Sequence, residues 1–555
     1  MLFKNEIFDL ASEVYATAQA HPERVAMMEP YREGEGWAFR TYTYASLSRD
    51  AEAIATGLRA NGIQEGTRTV FMAPPSYQSC AVAIAMTRVG ATFLWIDPSV
   101  GYRNVAERLS RISPEAFVGI PMSHLGRLAF GWGSRWMRKL IVVDGWFPGA
   151  LTFDKLKKYA PGPQVPPNVS PDDPSNVLYT TGSTGPAKPS LYLHRNFVNV
   201  YRQANHTWRF KEAGGIPVDM AAFPAFQLIG ISAGGTVVVP PIDFLRQKPA
   251  TVNAKDVCEV IQAAGVRTLF ASPALLERVA NYAHENDLKL DSLERVIGGG
   301  APVFAPLMQS LGAVMGPKGE VWSNYGATEA LPSTEVGSPE TLAELAARTA
   351  AGEGICVGRP LPGLELIAVG PVDLKSSKRS DFHRMPEGET GELIVRGPNI
   401  SPAYFMDPVA TEKNKLFDED GSVWHRLGDV GHIDEAGRVW VAGRVSQCVH
   451  LGEVWLLPIP IEAYFDQHEW VRRSGLVKRK NSAGIEEAVV CVEPNRALSK
   501  EDELLLLRDL EALKAKHPQG QHLAKLILSP GLPVDPRHNA KIERPALAEW
   551  ASRQP

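Results

Sequence analysis

Apolar and polar positions in the middle of the chain alternate between helical and strand spacing. One helical face is formed by residues three or four positions apart: Val257, Val260, Ile261 and Ala264. The apolar run at residues 266–270 is typical of a buried strand, and Pro273 is a favoured first residue for the next helix, with Leu275, Leu276 and Val279 facing inward. This alternation predicts the α/β class, with layers of helices on parallel sheets.

The pattern changes near Gly443. Residues 439–441 are typical of a strand, and beyond them residues 476–480 and 488–492 flank a turn. Residues 501–516 favour a helix with Leu504, Leu507 and Leu510 facing inward. We therefore predict a large multi-layered N-terminal domain with parallel and mixed sheets at residues 1–443, and a small mobile α+β lid domain at residues 444–555.

Composition is that of a globular protein, with 44% hydrophobic and 22% charged residues among 555. A net charge of −4 gives no electrostatic reason to expect nucleic acid as a partner. The five cysteines are far apart and form no C-x-x-C pair, so we expect a reduced, cytoplasmic location without a zinc site or disulfide framework. Residues 220–242 are uncharged but contain prolines and paired glycines, which favours a buried strand and turn over a transmembrane segment.

Candidate chemistry begins at residues 178–188, where an uncharged strand leads into a loop rich in glycine and hydroxyl groups. Gly182 and Gly185 allow close approach of backbone to a ligand, and backbone amides in such loops can hold phosphate oxygens. Further donors are Thr180, Thr181, Ser183, Thr184 and Lys188. The spacing is not that of a Walker A loop. By itself the segment is equally compatible with a solvated turn.

Other motifs follow in a fixed order along the chain. They are Gly299-Gly-Ala-Pro302, Tyr325-Gly-Ala-Thr-Glu329, Gly388-Glu-Thr-Gly-Glu392, Trp424-His-Arg-Leu-Gly-Asp-Val-Gly431, Gly443-Arg444 and Asn539-Ala-Lys-Ile542. With the hydroxyl-rich loop, this set resembles the adenylate-forming superfamily of acyl-CoA synthetases, adenylation domains and luciferases, over nearly the whole chain. The resemblance implies an ATP-dependent, AMP-forming ligase that uses ATP and Mg²⁺.

The resemblance also implies roles for individual residues. Residues 180–188 would hold the β- and γ-phosphates, and Thr328 would contact the α-phosphate. Glu329 would coordinate Mg²⁺, a hard cation that prefers carboxylate and phosphate oxygens. Tyr325 would stack on adenine, whose edge would face the backbone of Gly300, Ala301 and Pro302.

The ribose and the reacting groups complete the implied site. Asp429, helped by Arg444, would accept hydrogen bonds from both ribose hydroxyls. Lys541 would enter with the lid and bridge the carboxylate and the α-phosphate. The acyl pocket is expected at Phe226 and Gln227 and beside Gly298 and Gly299. Taken singly, Tyr325 could be a core aromatic, Asp429 a turn residue and Lys541 a solvated lysine; the ordered set favours the functional interpretation.

The tail at residues 532–550 distinguishes branches of the superfamily. Together with residues 272–276, 354–360 and 424–431, it resembles the bacterial olefin-pathway β-lactone synthetases. That resemblance implies activation of a 2-alkyl-3-hydroxy fatty acid as its adenylate, followed by attack of its own β-hydroxyl and release of AMP. It also suggests assembly with other enzymes of the olefin pathway.

Glu453 occupies the position where CoA ligases usually carry a glycine beside the pantetheine arm. A carboxylate there would narrow the passage and repel the phosphates of CoA, which favours intramolecular ring closure. Two alternatives stay open: a long-chain acyl-CoA or acyl-carrier-protein ligase, and a non-catalytic protein that binds nucleotide or acyl groups. The presence of Lys188, Glu329, Asp429, Arg444 and Lys541 argues against the second alternative.

Overall fold

The computed structural model describes residues 6–96, 102–133, 135–162, 167–179, 187–209, 216–340, 342–372, 374–452, 454–481, 483–534 and 542–554. The helices are α1 (Leu10–Ala20), α2 (Tyr44–Ala60), α3 (Tyr77–Arg88), α4 (Tyr102–Ile112), α5 (Pro121–Ala129), α6 (Phe153–Leu156), α7 (His194–Thr207), α8 (Gln227–Ser232), α9 (Ala254–Ala264), α10 (Pro273–Glu285), α11 (Ala305–Val314), α12 (Leu342–Ala350), α13 (Pro408–Asn414), α14 (Pro458–Phe465), α15 (Lys500–Lys516) and α16 (Arg544–Ser552).

The strands are β1 (Val25–Glu33), β2 (Gly36–Thr43), β3 (Arg68–Met72), β4 (Thr92–Trp95), β5 (Ala116–Gly119), β6 (Lys139–Val142), β7 (Leu151–Thr152), β8 (Pro174–Tyr179), β9 (Pro189–Leu193), β10 (Val218–Ala221), β11 (Thr236–Val238), β12 (Thr268–Ala271), β13 (Arg295–Gly298), β14 (Glu320–Ala327), β15 (Ala330–Gly337), β16 (Ile355–Pro360), β17 (Glu365–Gly370), β18 (His383–Arg384), β19 (Gly391–Arg396), β20 (Ala403–Tyr404), β21 (Lys415–Phe417), β22 (Val423–Ile433), β23 (Val439–Arg444), β24 (Val449–Leu451), β25 (Val454–Leu456), β26 (Val471–Lys480), β27 (Glu486–Pro494) and β28 (Leu523–Leu528).

The larger sheet of the described chain is mixed. Its order is β18-β17-β19-β22-β23-β16-β15-β14-β13-β12-β10-β11-β1-β2, with β21 paired to β22. In the part of the sheet from β11 through β10, β12 and β13 to β14, neighbouring strands are parallel. In the part from β14 through β15, β16, β23, β22 and β19 to β17, neighbouring strands are antiparallel. Helices α9 and α10 cover it with the predicted buried residues Val257, Ile261, Leu275 and Leu276, which confirms these two helices.

A second sheet has the order β20-β9-β8-β4-β3-β5-β6-β7. Strands β3 to β8 are parallel within it, so their carboxyl ends meet at one edge, whereas β9 and β20 add antiparallel pairs on one side. The loop after β8 starts at this edge. The smaller sheet therefore brings β9 and β20 close to the start of the predicted phosphate loop.

The C-terminal part contains the three-stranded sheet β26-β27-β28 with α14, α15 and α16. The predicted strand–turn–strand is present, although both strands are longer than predicted. One inward position was wrong: Leu504 is 70% exposed, and the buried leucines of α15 are Leu506 and Leu510. The boundary near residue 443 and the mobility of the lid stay predictions.

Residues 220–242 differ partly from the prediction of a strand and turn. Strand β10 is followed by the short helix α8 and by strand β11, because residues 227–232 bury an apolar helical face. Across the described ranges, no helix combines the length and the apolar character needed to cross a bilayer. All five cysteines carry free thiols, as the spacing predicted.

Candidate active site

Three of the predicted nucleotide-binding side chains are in direct contact. Asp429 on β22 faces Arg444 on β23 across the antiparallel ladder, and Arg444 Nε lies 2.9 Å from Asp429 Oδ1. From β14, the Tyr325 hydroxyl donates a hydrogen bond to Asp429 Oδ2 at 2.5 Å. Burial, followed by the charge of Asp429, raises the pKa of Tyr325, so the phenol stays protonated and continues to donate.

Asp429 is fixed by these contacts and by burial, with 4% of its surface exposed. Arg444 is fixed in turn, since its Nη1 donates to the Leu427 carbonyl oxygen at 3.0 Å. A carboxylate offers about four acceptor positions, so one held in this way can also accept hydrogen bonds from a ligand. The arrangement is suited to a pair of vicinal hydroxyls, and the ribose role of Asp429 stays a prediction.

The glycine-rich end of β13 lies beside β14, with Gly298 paired to Ser323. Gly300 has φ +86°, in the left-handed region that favours glycine, and this turns the exposed Ala301 and Pro302 away from the strand. The backbone of residues 300–302 is therefore accessible next to the strand that carries Tyr325. This is the relative placement that an adenine site would need.

Two of the predicted acyl-pocket residues, Phe226 and Gly299, meet at Phe270. The Phe226 ring centroid lies 4.7 Å from that of Phe270, and a Cβ added to Gly299 would lie 2.9 Å from the Phe270 ring. Trp208 packs on the same ring at 5.1 Å. The neighbouring Gln227 is buried and donates from Nε2 to the Ala221 carbonyl oxygen at 3.4 Å. An aromatic wall of this kind suits an apolar ligand.

Gln227 also lines a small pocket. The pocket is lined mainly by apolar side chains from β3, the loop after it, β4 and α8; they include Phe71, Ala73, Trp95 and Leu228. Two sheets thus contribute to one apolar region, because β3 and β4 belong to the smaller sheet and residues 224–228 lie beyond β10 of the larger sheet.

Glu329 follows β14 and is almost fully buried. Tyr404 donates its hydroxyl hydrogen to Glu329 Oε1, and His425 Nε2 lies 3.9 Å from Glu329 Oε2. The preceding residue, Thr328, is also fixed in position, since its carbonyl oxygen accepts a hydrogen bond from the Tyr192 hydroxyl at 2.9 Å. The carboxylate is therefore held in one orientation by side chains outside its own motif.

Lys188 lies directly before β9, and β9 pairs with β20, the strand of Tyr404. Lys188 Nζ donates to Asn414 Oδ1 at 3.2 Å and lies 5.5 Å from the centroid of the Tyr404 ring. Burial lowers the pKa of Lys188, while the nearby charge of Glu329 opposes that shift. The structure thereby brings Lys188 and Glu329 to the same tyrosine.

Lys415, the first residue of β21, was not found by sequence reasoning. It is fully buried, donates from Nζ to the Ser401 carbonyl oxygen, and lies 5.6 Å from the Tyr404 ring centroid. Burial lowers the pKa of Lys415 to about 7, an effect opposed by Glu329 and increased by Lys188. It belongs to no motif, and only its burial beside Glu329 distinguishes it from other lysines.

His425 lies against the same group, with Nε2 3.9 Å from Glu329 Oε2. Its Nδ1 is 3.2 Å from the Asn414 carbonyl oxygen. Burial, with a further contribution from Lys415, lowers the pKa of His425 well below its usual value, so the imidazole is neutral. The region around Glu329 therefore gains its positive charge from lysines.

Several predicted residues lie outside the described ranges. They are Thr180, Thr181, Gly182, Ser183, Thr184, Gly185, Glu453 and Lys541. Their positions relative to the site stay predictions, as do the roles assigned to the other site residues. Within the described chain, no cluster of three or more histidine, cysteine, aspartate or glutamate side chains could hold a metal ion.

Comparison with known proteins gives similarity from end to end. A family profile described as AMP-binding enzyme matches residues 14–405. An olefin beta-lactone synthetase of Stenotrophomonas maltophilia is 34% identical over 99% of this chain and 99% of its own length. One of Xanthomonas campestris is 32% identical over 98% of each. The crystal structure of ATP-bound MatB from Rhodopseudomonas palustris, 19% identical, superimposes with a TM-score of 0.74 over 99% of both chains, which confirms the predicted fold class.

Proposed function

We propose that this chain, which belongs to the AMP-binding enzyme family, activates a 3-hydroxy fatty acid with ATP and closes it to a β-lactone, releasing AMP and pyrophosphate. The observation that carries the proposal is the similarity to two olefin beta-lactone synthetases over nearly the full length of all three proteins. Family membership confirms the prediction of an ATP-dependent, AMP-forming enzyme.

In the first step, a carboxylate oxygen of the acid forms a bond to the α-phosphorus of ATP, and the bond to pyrophosphate breaks. Negative charge collects on phosphate oxygens, so positioning and fixed positive charge should supply most of the catalysis. Lys188 would neutralise phosphate charge, with Lys415 behind it. Asp429 and Arg444 would fix the ribose, and Lys541 would reach the reacting groups.

Glu329 fits a magnesium site in which the nucleotide supplies most ligands. It is a single carboxylate, held at Oε1 by Tyr404, and Mg²⁺ commonly takes one or two carboxylates together with phosphate oxygens and water. The bound ion would neutralise part of the phosphate charge. The lysines near Glu329 serve the same end and do not depend on the ion.

In the second step, the β-hydroxyl oxygen of the acyl adenylate forms a bond to its own carbonyl carbon. The bond from that carbon to AMP breaks with its electrons on the phosphate oxygen of AMP, and the hydroxyl proton passes to this departing phosphate. Because both reacting groups belong to one molecule, proximity replaces a second substrate. The aromatic wall of Phe226 and Phe270 would pack against the alkyl chains and keep the adenylate dry.

The decisive experiment supplies ATP, Mg²⁺ and a 3-hydroxy fatty acid, with and without CoA, and identifies the products by mass spectrometry. We expect a β-lactone, AMP and pyrophosphate without CoA. The matched acid that lacks the hydroxyl should stop at bound adenylate or hydrolyse slowly, and added CoA should not change that. Thioester formation from both acids, with no lactone, would instead establish an acyl-CoA ligase.

Finer parts of the proposal rest on the resemblance alone. They are the 2-alkyl substituent of the substrate, the assembly with other olefin-pathway enzymes and the cytoplasmic location. Size-exclusion chromatography of the chain mixed with candidate pathway enzymes would test the assembly independently of catalysis.

A further inference from the structure

Helix α5 is packed with its apolar face toward the solvent. Met122, Leu125 and Leu128 are 58%, 52% and 60% exposed, although they follow the spacing of a helical face that normally packs on a core. The buried positions of the same helix are Ser123, His124 and Arg127. Single exposed leucines are ordinary, but an apolar helical face turned outward marks an interaction surface.

Polar contacts hold α5 in this orientation. Ser123 Oγ donates to the Met72 carbonyl oxygen at 2.9 Å. His124 Nε2 lies 2.9 Å from the Ile141 carbonyl oxygen, and its ring stacks at 4.8 Å on Phe147. Gly126 packs on the indole of Trp132, since a Cβ added to Gly126 would lie 3.0 Å from this ring. These contacts fix the helix, so the outward face does not result from a loosely packed element.

Further exposed aromatic side chains follow α5 along the chain. Phe130, Trp136 and Trp146 are 45%, 37% and 68% exposed. Trp146 lies next to the start of α5, because a Cβ added to the neighbouring Gly145 would lie 2.6 Å from Pro121. We call the set formed by Met122, Leu125, Leu128, Phe130, Trp136 and Trp146 the apolar face.

Charge around the apolar face is opposite in sign to that of the chain. Residues 120–147 contain Arg127, Arg135, Arg138 and Lys139 and one acidic residue, Asp144, whereas the whole chain carries −4. Arg127 is buried and Lys139 lies 3.9 Å from Glu115, so the positive charge at the surface comes mainly from two arginines. Arg135 and Arg138 are exposed. Helices that lie at the water interface of anionic membranes combine leucine, phenylalanine and tryptophan with bordering arginines.

The apolar face is also connected to the pocket beside Gln227. Met72, which accepts the hydrogen bond from Ser123, stands between Phe71 and Ala73, and both of these line the pocket. On the other side, Ser76 Oγ donates to Asp144 Oδ2 at 2.6 Å, which ties the loop after β3 to the segment of Trp146. The carboxyl end of β3 is thus shared by the apolar face and the pocket.

We propose that the apolar face docks this protein on an anionic phospholipid bilayer. The proposal extends the proposed function, because a fatty acid with long alkyl chains partitions into lipid and would enter from there. The basic border selects a bilayer with negative headgroups over a neutral one. Tryptophan, phenylalanine, methionine and arginine are also enriched at protein interfaces, so a second copy of this chain is the competing occupant that the experiment distinguishes.

Sedimentation with lipid vesicles tests the docking without any catalysis. The full chain should bind vesicles of equal parts phosphatidylglycerol and phosphatidylcholine, and should bind pure phosphatidylcholine vesicles about tenfold less, with the difference lost at high salt. The double variant Leu125→Glu/Leu128→Glu should reduce binding to the anionic vesicles by about tenfold or more. Leu504→Glu, at a leucine that is 70% exposed on α15, is the matched control and should bind as wild type.

Thermal unfolding of all variants checks that the fold is intact. Arg135→Glu/Arg138→Glu, which leaves the leucines in place, should weaken binding only to the anionic vesicles. The proposal is overturned if wild type binds neither vesicle, or if the leucine variant binds as well as wild type. It is also overturned if the leucine variant only converts a dimer into a monomer in analytical ultracentrifugation without affecting lipid binding, because the apolar face would then join two copies.

Activity assays separate this proposal from the proposed function. With a short, water-soluble 3-hydroxy acid, the leucine variant should make adenylate at the wild-type rate, and only turnover of vesicle-borne long-chain acid should fall. If wild type binds anionic vesicles but makes no lactone from any hydroxy acid, the proposed function fails and the docking surface stands.

Discussion

Replacing Asp429 with asparagine should remove most of the affinity for ATP while leaving the fold intact. Asparagine keeps the shape, but it is neutral and turns one of two acceptor oxygens into a donor. Since Arg444 can only donate, the amide oxygen must face Arg444 Nε, and the amide nitrogen must face the Tyr325 hydroxyl, which can rotate to accept. The local contacts therefore survive in altered form.

The ribose contacts do not survive in this way. Hydrogen bonds to a charged partner contribute about 1.5–3 kcal/mol each, so loss of the charge toward two hydroxyls should weaken ATP binding by about 3 kcal/mol. That corresponds to an increase of about a hundredfold in Kd. The effect on stability should be small, because asparagine keeps a hydrogen bond to both Arg444 and Tyr325 and Arg444 itself is 39% exposed in its side chain.

Isothermal titration calorimetry with a non-hydrolysable ATP analogue measures this change. Asp434→Asn is the matched control, since Asp434 is also a buried aspartate paired with arginine, through Arg438 Nε at 2.8 Å, and it accepts from Trp440 Nε1 at 2.9 Å away from the predicted nucleotide contacts. It should lower the thermal stability and leave Kd unchanged. Wild-type affinity in a folded Asp429→Asn protein would refute the ribose assignment.

Three further predictions concern buried or lid charges. Lys541→Ala should slow pyrophosphate release by roughly a hundredfold or more with little change in ATP binding; near-normal adenylation would show that this lysine is not catalytic. Because the pKa of Lys415 falls from 10.5 to about 7 on folding, the unfolded chain binds more protons than the folded chain between these pH values, and the free energy of unfolding should rise with pH there. Lys415→Met should flatten the corresponding rise in melting temperature. An unchanged slope in this variant would contradict the reasoning. Burial raises the pKa of Asp219 well above its usual value, so the folded state should lose stability as pH rises above the unfolded pKa; Asp219→Asn should raise the melting temperature at neutral pH, and a decrease would contradict the reasoning.

Much of the local structure follows from the sequence itself. The helical spacing of Val257 and Ile261 and the proline at residue 273 identified α9 and α10, because these signals depend only on neighbours along the chain. Ordered motifs likewise identified the family, since their residue types and order are independent of how the sheets are assembled. The inward face of α15 could not be assigned correctly, because Leu504 to Leu507 are four consecutive leucines and satisfy more than one helical face.

Tertiary structure decided what surrounds each motif. Lys415 and Tyr404 meet Lys188 and Glu329 only because β9 pairs with β20 and β21 pairs with β22. Lys188 and Tyr404, for example, are in contact although more than two hundred residues separate them in the sequence. The sequence could not predict that α5 directs its apolar face to the solvent, since a helical face of leucines predicts burial. Its orientation was set by Ser123 and His124, which hydrogen-bond to carbonyl oxygens of β3 and β6. Sequence periodicity determines which residues share a face, whereas the partners available in the folded chain determine where that face points.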